Sequence, residues 1–360
     1  MSQVLFWLPG GIPIYGFGTM LFLTFLVTMW YVGRRCDREG IPKDRVQDAA
    51  LLVFLSGILG ARIVYMIQYK VPLQDFYKIW EGGIVFYGSA IGGWIGYGLA
   101  HLLILKRHQI RTWKLADLVA PAVALGLAIG RVGCFLNGCC YGHISTNDGV
   151  RFPLLTSPAR DQLVGYGFQT GAGFAMKDGE KIYERTVGMI EPDSAASRAG
   201  LRSGDVIERI NGVPVENYAR LFNALYRDWP QGITELRLTV RRGQDQVDVA
   251  FTPRTLPLYP TQVFESISMA LLFFVLVSAH PYKRFDGQIF IMMMMGYAVH
   301  RFFNETLRTD TEPVLSSPVP LTLSQTISLA VLMLAIGLGM WLRTQSRTTG
   351  GSIAKANGGV

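Results

Sequence analysis

The chain has 360 residues, enough for two or three folding units, yet only 17% are Asp, Glu, Lys or Arg, against about 25% in ordinary soluble domains. The deficit is local: residues 134–258 hold 28 of the 60 charged side chains, 14 acids and 14 bases, so the whole net charge of +8 belongs to the flanks. These numbers argue against a wholly soluble or disordered chain and for a membrane protein with a neutral, water-soluble insert.

In chain order, apolar stretches long enough to cross about 30 Å of hydrocarbon are predicted as seven spans, at 14–32, 47–68, 84–105, 113–134, 261–279, 287–304 and 322–342. The expected fold class is an all-α polytopic membrane protein of seven transmembrane helices with an inserted α+β soluble domain. Lys and Arg mark cytoplasmic loops. Segments 33–48, 106–114, 280–288 and 343–360 hold 14 of them, whereas 1–13, 69–83 and 304–321 hold only Lys70, Lys78 and Arg308. This places the N-terminus and the insert outside and the C-terminus in the cytoplasm. No Lys or Arg precedes Arg34, so span one lacks the basic region of a cleaved signal peptide and is expected to be retained.

The remaining flank arginines, Arg62, Arg131 and Arg301, fall inside spans, where each costs about 2.5 kcal/mol or more without a partner, a wet cavity or an anionic ligand. For any one alone, snorkelling or a structural ion pair is the competing reading. Yet all three lie in the last third of outward-running spans, and the first turns of the inward-running spans carry Tyr87, Gln262, Glu265 and Gln325. The polar residues therefore converge on the outer leaflet, as a pocket for an anionic lipid headgroup would. In span six, Tyr297, Arg301, Glu305 and Arg308 form one stripe about 80° wide, and Arg301 and Glu305 are spaced to pair. In span three, Gly88, Gly92 and Gly96 recur every four residues, a spacing that predicts close helix packing.

WEGGIVFYGSAIGG (80–93), GRVGCFLNGCCYG (130–142), YPTQVFE (259–265), GYAVHRFFNETLR (296–308) and LTLSQTISL (321–329) resemble, in order, the signature segments of the bacterial prolipoprotein diacylglyceryl transferase family. GARIVYMIQY (60–69) looks like its second-span segment. The resemblance implies a seven-span enzyme of the bacterial cytoplasmic (inner) membrane that moves the diacylglyceryl group of phosphatidylglycerol to the lipobox cysteine of a prolipoprotein. Glycerol 1-phosphate leaves, in the first step of lipoprotein maturation. A thiolate displacing a phosphate ester at carbon needs the phosphate charge held and the thiol proton removed, and the planar fork of arginine suits the first task. By the resemblance, Arg131, Arg301, Tyr297, Glu305 and Tyr87 form the catalytic set, and Arg62, Asn137, Gly138, Gly142, Glu265, Arg308 and Gln325 hold substrate. No cofactor is expected, and no nucleic-acid partner, since the basic residues lie in cytoplasmic loops.

The chain departs from the family pattern at Tyr87 and Tyr259, where members have His, at Cys134 in place of the Asn of GRxGNF, and at Cys139 where others have Glu. A phenol with an ordinary pKa near 10 is a poor base unless cations stabilise its phenolate, so Tyr87, Tyr297 and Glu305 stay open as proton acceptors. For Cys134, Cys139 and Cys140, at the outer boundary, a disulfide or plain buried thiols are expected before zinc or a catalytic thiol. CxxxxCC is not a usual ligand spacing, and His143 is the single nearby candidate for a fourth ligand, so no metal is expected. Cys36 lies inside.

Residues 143–182 read as a loop-rich connector in which SPARDQ (157–162) also resembles the family. VGMIEPDSAASRAGLRSGDVIERINGVPV (187–215) resembles a PDZ domain of bacterial envelope proteases; ENYARLFNALY (216–226) follows at helical spacing, then LRLTV and VDVAF as strands about a turn at Arg242 and Gly243. PDZ domains take up a peptide as an added strand, and Val187, Gly188, Met189 and Ile190 resemble the loop that receives the chain end. The organisation expected is a transferase core in 1–142 (spans one to four) and 254–345 (spans five to seven), a connector at 143–182, a PDZ-like domain at 183–253 and a flexible cytoplasmic tail at 346–360. The insert would capture prolipoproteins or an envelope protein, or act as a spacer that binds nothing.

An intramembrane metalloprotease is excluded: no HExxH string occurs, and His101, His108, His143, His280 and His300 include no i, i+4 pair. Two further readings are a catalytically degenerate lipid-binding anchor presenting a PDZ adaptor, and a related transferase with another donor or acceptor. Joint retention of Arg131, Arg301, Glu305 and Gln325 favours the active enzyme.

Overall fold

The computed structural model of the chain describes residues 4–9, 12–69, 72, 74, 76, 86–145, 149–152, 172–177, 185–217, 220–221, 224, 234–253, 255, 257–308, 313–315 and 321–357. A hairpin of β1 (Val4–Leu8) and β2 (Ile12–Tyr15) leads into helices α1 (Gly16–Glu39), α2 (Lys43–Tyr69), α3 (Phe86–Ala100, prolonged by a wider turn His101–Leu105) and α4 (Thr112–Asn137). The insert supplies β3 (Val150–Arg151), β4 (Phe174–Met176), β5 (Val187–Ile190), the short α5 (Ala195–Arg198), β6 (Val206–Ile210), β7 (Val213–Pro214), β8 (Leu236–Arg242), β9 (Asp245–Phe251) and β10 (Pro257–Leu258). Then come α6 (Thr261–Ala279), α7 (Gln288–Glu305), the pair β11 (Pro313–Leu315) and β12 (Leu321–Thr322), and α8 (Leu323–Asn357).

Among the described residues, six helices are long and apolar enough to cross a membrane: α1, α2, α3 with its wider turn, α4, α6 and α8. Their outward faces are hydrophobic, with Trp94 79% and Ile67 73% exposed, a surface that water would not tolerate on this scale. The sixth predicted span is present as α7, but it is not among those six. Its 18 residues reach only about 27 Å, and its last turn is polar, with His300, Arg301, Asn304 and Glu305. Helix α8 continues to Asn357, past the predicted end of the last span at 342 and into the stretch expected as a flexible tail at 346–360. Residues 80–85 and 157–162, from two of the quoted motifs, and Lys70 and Lys78 lie outside the described residues.

The chain packs as two units, divided within α1, α4, α6, α7 and α8. One comprises Leu23–Leu127, Met269–Val299 and Ser328–Val360. Here α2 and α3 meet through glycine as the four-residue spacing predicts. A Cβ on Gly88 would strike the Gly60 carbonyl, one on Gly92 the Ser56 carbonyl, and one on Gly96 would come within 2.7 Å of the Ser56 Cβ. Asp117 of α4, fully buried, caps the start of α7: its Oδ1 accepts from the amides of Ile289 (2.8 Å) and Phe290 (3.1 Å), and its Oδ2 from the Gly287 amide (2.8 Å) and Lys283 Nζ (3.3 Å). A carboxylate there satisfies amides that the helix itself leaves unpaired.

The other unit comprises Met1–Phe22, Ala128–Ser268 and His300–Ile327. It gathers the beginnings of α1, α6 and α8, the ends of α4 and α7, and the insert. In the insert, strands run in the order β7-β6-β8-β9 over a core that includes Val187, Leu201, Ile207, Leu236, Val240 and Phe251. Each such side chain contributes about 1.5–3 kcal/mol on burial. The β8–β9 hairpin turns over Gly243 and Gln244, one residue later than predicted, with Arg242 paired to Asp245 and the left-handed φ of +64° falling on glycine.

Two expectations for the insert are corrected. Strand β4 belongs to its core, since Ala172 and Phe174 are buried there and β4 pairs with β5, so the compact part begins near 172 rather than 183. Val187, Gly188, Met189 and Ile190 are not a loop but strand β5, in register with Phe174–Met176. Alternation explains it: Val187 enters the core at 1% exposure, and a Cβ on Gly188 would come within 2.7 Å of the Lys177 backbone. Of the helix expected over 216–226, residues 216, 217, 220, 221 and 224 are described: 216 and 217 are not helical and the other three are, with Leu221 and Ala224 in the core.

Candidate active site

Within the unit that carries the insert, four helix ends meet. A backbone strut fixes three of them: the Gly142 amide donates to the Tyr259 carbonyl (2.8 Å), the Tyr259 amide to the His143 carbonyl (3.1 Å) and the His143 amide to the Leu307 carbonyl (2.9 Å). The chain after α4, before α6 and after α7 is thereby clamped. Only glycine fits at 142, because a Cβ would come within 2.5 Å of the Leu307 oxygen and 2.8 Å of the Tyr259 Cβ. From the first turn of α6, Thr261 Oγ1 and Gln262 Nε2 donate at 2.6 Å to the carbonyls of Cys140 and Cys139. Helix α8 opens with a reciprocal cap, Thr322 N to Gln325 Oε1 (3.0 Å) and Gln325 N to Thr322 Oγ1 (3.2 Å).

These ends deliver two guanidinium groups and two carboxylates to one place. Glu265, 1% exposed, lies between Arg131 (Nε to Oε1, 3.0 Å) and Arg301 (Nη1 to Oε2, 4.0 Å). Arg301 also pairs with Glu305, 2.8 Å away and one turn later, as the spacing predicts, and donates to Ser324 Oγ at 3.0 Å. Asn304 Nδ2 reaches Glu265 Oε2 at 3.4 Å. The two arginines keep 18% and 16% of their side chains exposed while both glutamates are buried, so an incoming group meets the cations first.

The cluster is charge-balanced but underfilled. Glu265 Oε1 and Glu305 Oε2 face guanidinium groups at ion-pair distance without an aligned hydrogen bond. Gln262 Oε1, His300 Nε2, Arg301 Nη1, Asn304 Oδ1 and Glu305 Oε1 are buried with no hydrogen-bond partner among the described residues. Each such atom costs about 1–3 kcal/mol, and so many in one place mark a site completed by something polar.

The structure thus brings together Arg131, Arg301, Glu265 and Glu305 of the predicted set, while Gln325 caps the start of α8 beside Ser324. Asn137 ends α4, Gly138 follows at φ +71°, and the Arg308 amide closes the turn after α7 on the Glu305 carbonyl (3.1 Å). Arg62, Tyr87 and Tyr297 belong to the other unit. There Arg62 is buried, donates to the Phe76 carbonyl at 3.2 Å and lies over the Tyr65 ring, while Tyr87 is 65% exposed at the start of α3. Sequence reasoning missed His300, Asn304 and Ser324, which flank predicted residues at helical spacing. It also missed the capping signature Thr322-x-x-Gln325, which was open to view. Of the outcomes weighed for the outer cysteines, the disulfide is not found: Cys134, Cys139 and Cys140 are unbridged, with their sulfurs all within 4.8 Å of one another. His143 stands apart from them, its Nδ1 2.9 Å from the Leu307 carbonyl.

A sequence model of the family described as prolipoprotein diacylglyceryl transferase matches residues 3–342. The chain is similar to a phosphatidylglycerol--prolipoprotein diacylglyceryl transferase of Rhodopirellula baltica, at 28% identity over 98% of this chain and 78% of that protein. It is similar to such enzymes of Clostridium perfringens (36% identity, 40% of this chain, 56% of the relative) and Clostridium tetani (37%, 39% and 56%), so against these two it spans about half of the relative's length.

Proposed function

Because the chain belongs to the prolipoprotein diacylglyceryl transferase family, we propose that it transfers the diacylglyceryl group of phosphatidylglycerol to the lipobox cysteine thiol of prolipoproteins, releasing glycerol 1-phosphate. The observation that carries this is the underfilled pairing of Arg131 and Arg301 about buried Glu265. A phosphodiester entering there would take the guanidinium forks, and its developing negative charge would be met by donors already in place. Glu305, with an unpartnered oxygen, is the best-placed proton acceptor in this cluster. In this reading α7 also crosses the membrane, as the sixth of seven spans, and the cluster lies in the outer leaflet. Asn137, Gly138, Gly142, Arg308 and Gln325 shape its walls; Arg62, Tyr87 and Tyr297 keep the lipid-facing roles that the family resemblance implies. The insert faces outward and presents Met189, 46% exposed on β5, to a prolipoprotein or envelope peptide.

Purified protein incubated with labelled phosphatidylglycerol and a lipobox peptide should form the thioether product, and Arg131→Ala and Arg301→Ala should both lose it. Absence of product with the wild-type chain would overturn the reading in favour of a lipid-binding anchor. Deleting 172–253 should lower transfer to full-length substrate more than transfer to a short peptide; equal losses would remove the recruiting role of the insert.

A further inference from the structure

Beside the guanidinium–carboxylate cluster lies a second convergence that the proposed chemistry leaves unused. Cys134 sits in the last turn of α4. Gly138 at φ +71° and Cys140 at φ +61° then fold the chain back so that all three sulfurs of Cys134, Cys139 and Cys140 lie within 4.8 Å. A left-handed φ at a non-glycine residue is unfavourable by about 1–2 kcal/mol, a strain that persists only where surrounding contacts hold it. Those contacts are present: the Cys139 amide donates to the Cys134 carbonyl (3.1 Å), and Gln262 and Thr261 hold the Cys139 and Cys140 carbonyls. The backbone is fixed and the thiols are left facing one another.

We propose that Cys134, Cys139 and Cys140 bind one zinc ion as three thiolates and leave its fourth position for the substrate thiol. Zinc–thiolate bonds of about 2.3 Å set sulfurs about 3.8 Å apart in a tetrahedral site, a separation the observed triangle reaches by small side-chain rotations. A disulfide would need about 2.05 Å. Three protein ligands with one open position are the mark of a catalytic zinc site, whereas structural sites supply four. His143 does not fill the fourth position, since it is not among the side chains whose ligand atoms gather there and its ring packs on Tyr259. The surroundings suit a metal–thiolate group: Asn137 hydrogen-bonds the Cys139 sulfur, Arg131 Nη1 lies 3.9 Å from the Cys134 sulfur, and the charges of Arg308 and Arg131 both act on Cys140. Three thiolates on zinc carry one net negative charge, which these cations balance.

The role of the fourth position rests on the transferase reading. A peptide thiol entering it would bind as thiolate and lose its proton to water, which removes the need for a strong protein base at Tyr87. The sulfur would then form its bond to the glyceryl carbon as the carbon–oxygen bond to phosphate breaks, the electron pair leaving with glycerol 1-phosphate.

The test is cobalt substitution of the full-length protein in detergent. The expected result is about one metal per chain, lost in Cys139→Ser and in Cys140→Ser, with sulfur-to-cobalt absorption that rises by about one third on adding a lipobox peptide and not its serine analogue. No bound zinc or cobalt in the wild-type chain, or a disulfide among the three cysteines by mass spectrometry, would overturn the site. Metal binding without a response to the peptide, or an unchanged transfer rate after chelation, would overturn the fourth-ligand role and leave the transferase reading intact. Cobalt and peptide thiol binding in a chain that never transfers the glyceride would overturn that reading and keep the metal site.

Discussion

Two buried carboxylates, Asp117 in one packing unit and Glu265 in the other, show how differently a buried charge can be treated. Every lone-pair direction of Asp117 that counts is taken by three amides and Lys283, and neither of its oxygens is among the unpartnered atoms. Glu265 has one arginine in imperfect alignment, a second at 4.0 Å and an amide at 3.4 Å, with unpartnered atoms all round it. A filled carboxylate is a structural rivet. An underfilled one keeps capacity for a ligand, at a cost in stability that binding recovers.

The contrast is sharpest under mutation. Asp117→Ala strands three amides at the start of α7, leaves Lys283 with Asp286 alone, and should destabilise the protein by about 3–5 kcal/mol, read as a lowered thermal midpoint in detergent, with any transfer that remains tracking the folded fraction. Arg131→Ala should do the reverse, lowering kcat/KM by about 100- to 1000-fold with a midpoint close to wild type. If the two variants melt alike, the distinction fails. Arg301→Lys keeps the charge but loses the fork that spans Glu305 and Ser324, and about a 10- to 100-fold loss is expected.

Packing provides a smaller effect. Gly92→Ala forces a methyl group onto the Ser56 carbonyl and should cost about 1–3 kcal/mol, whereas Gly93→Ala, with nothing within 4 Å, should gain about 0.5–1 kcal/mol through helix propensity. Asp205 of the insert tests whether filled carboxylates behave alike wherever they lie. Burial pushes its pKa up, but the Arg242 fork (2.7 and 2.8 Å) and the Arg202 amide (2.8 Å) outweigh this and hold it below the usual carboxylate range. Its contribution is therefore complete above the unfolded-state pKa and is lost as pH falls through the lower folded value. Hydrogen exchange of the β6 and β8 amides should quicken as pH drops below about 4, and Asp205→Asn should flatten that dependence without altering transfer at neutral pH.

How much was legible follows from how far each interaction reaches. The Arg301–Glu305 pair, the glycine contacts of α3 and the β8–β9 hairpin follow from periodicity over two to seven residues, and all are found, the hairpin turn one residue later than the pattern placed it. Strand β4 was missed because its apolar run is only three residues long and is justified by a partner beyond the connector. The same shortness hid β5, whose four residues match a loop signature until β4 is laid beside them.

From the amino-acid order alone came the membrane class, the charge asymmetry of the flanks, the separate insert and the conviction that intramembrane arginines must have an anionic purpose, because each of these depends on composition or on neighbours within one turn. Only packing in three dimensions decided that Glu265 would stand between Arg131 and Arg301, that Asp117 would cap a helix about 170 residues away, and that three cysteine sulfurs would share one small space. Those contacts join segments whose separation along the chain carries no periodic trace, so their partners are set by which helix ends can meet without leaving buried polar groups unpaired.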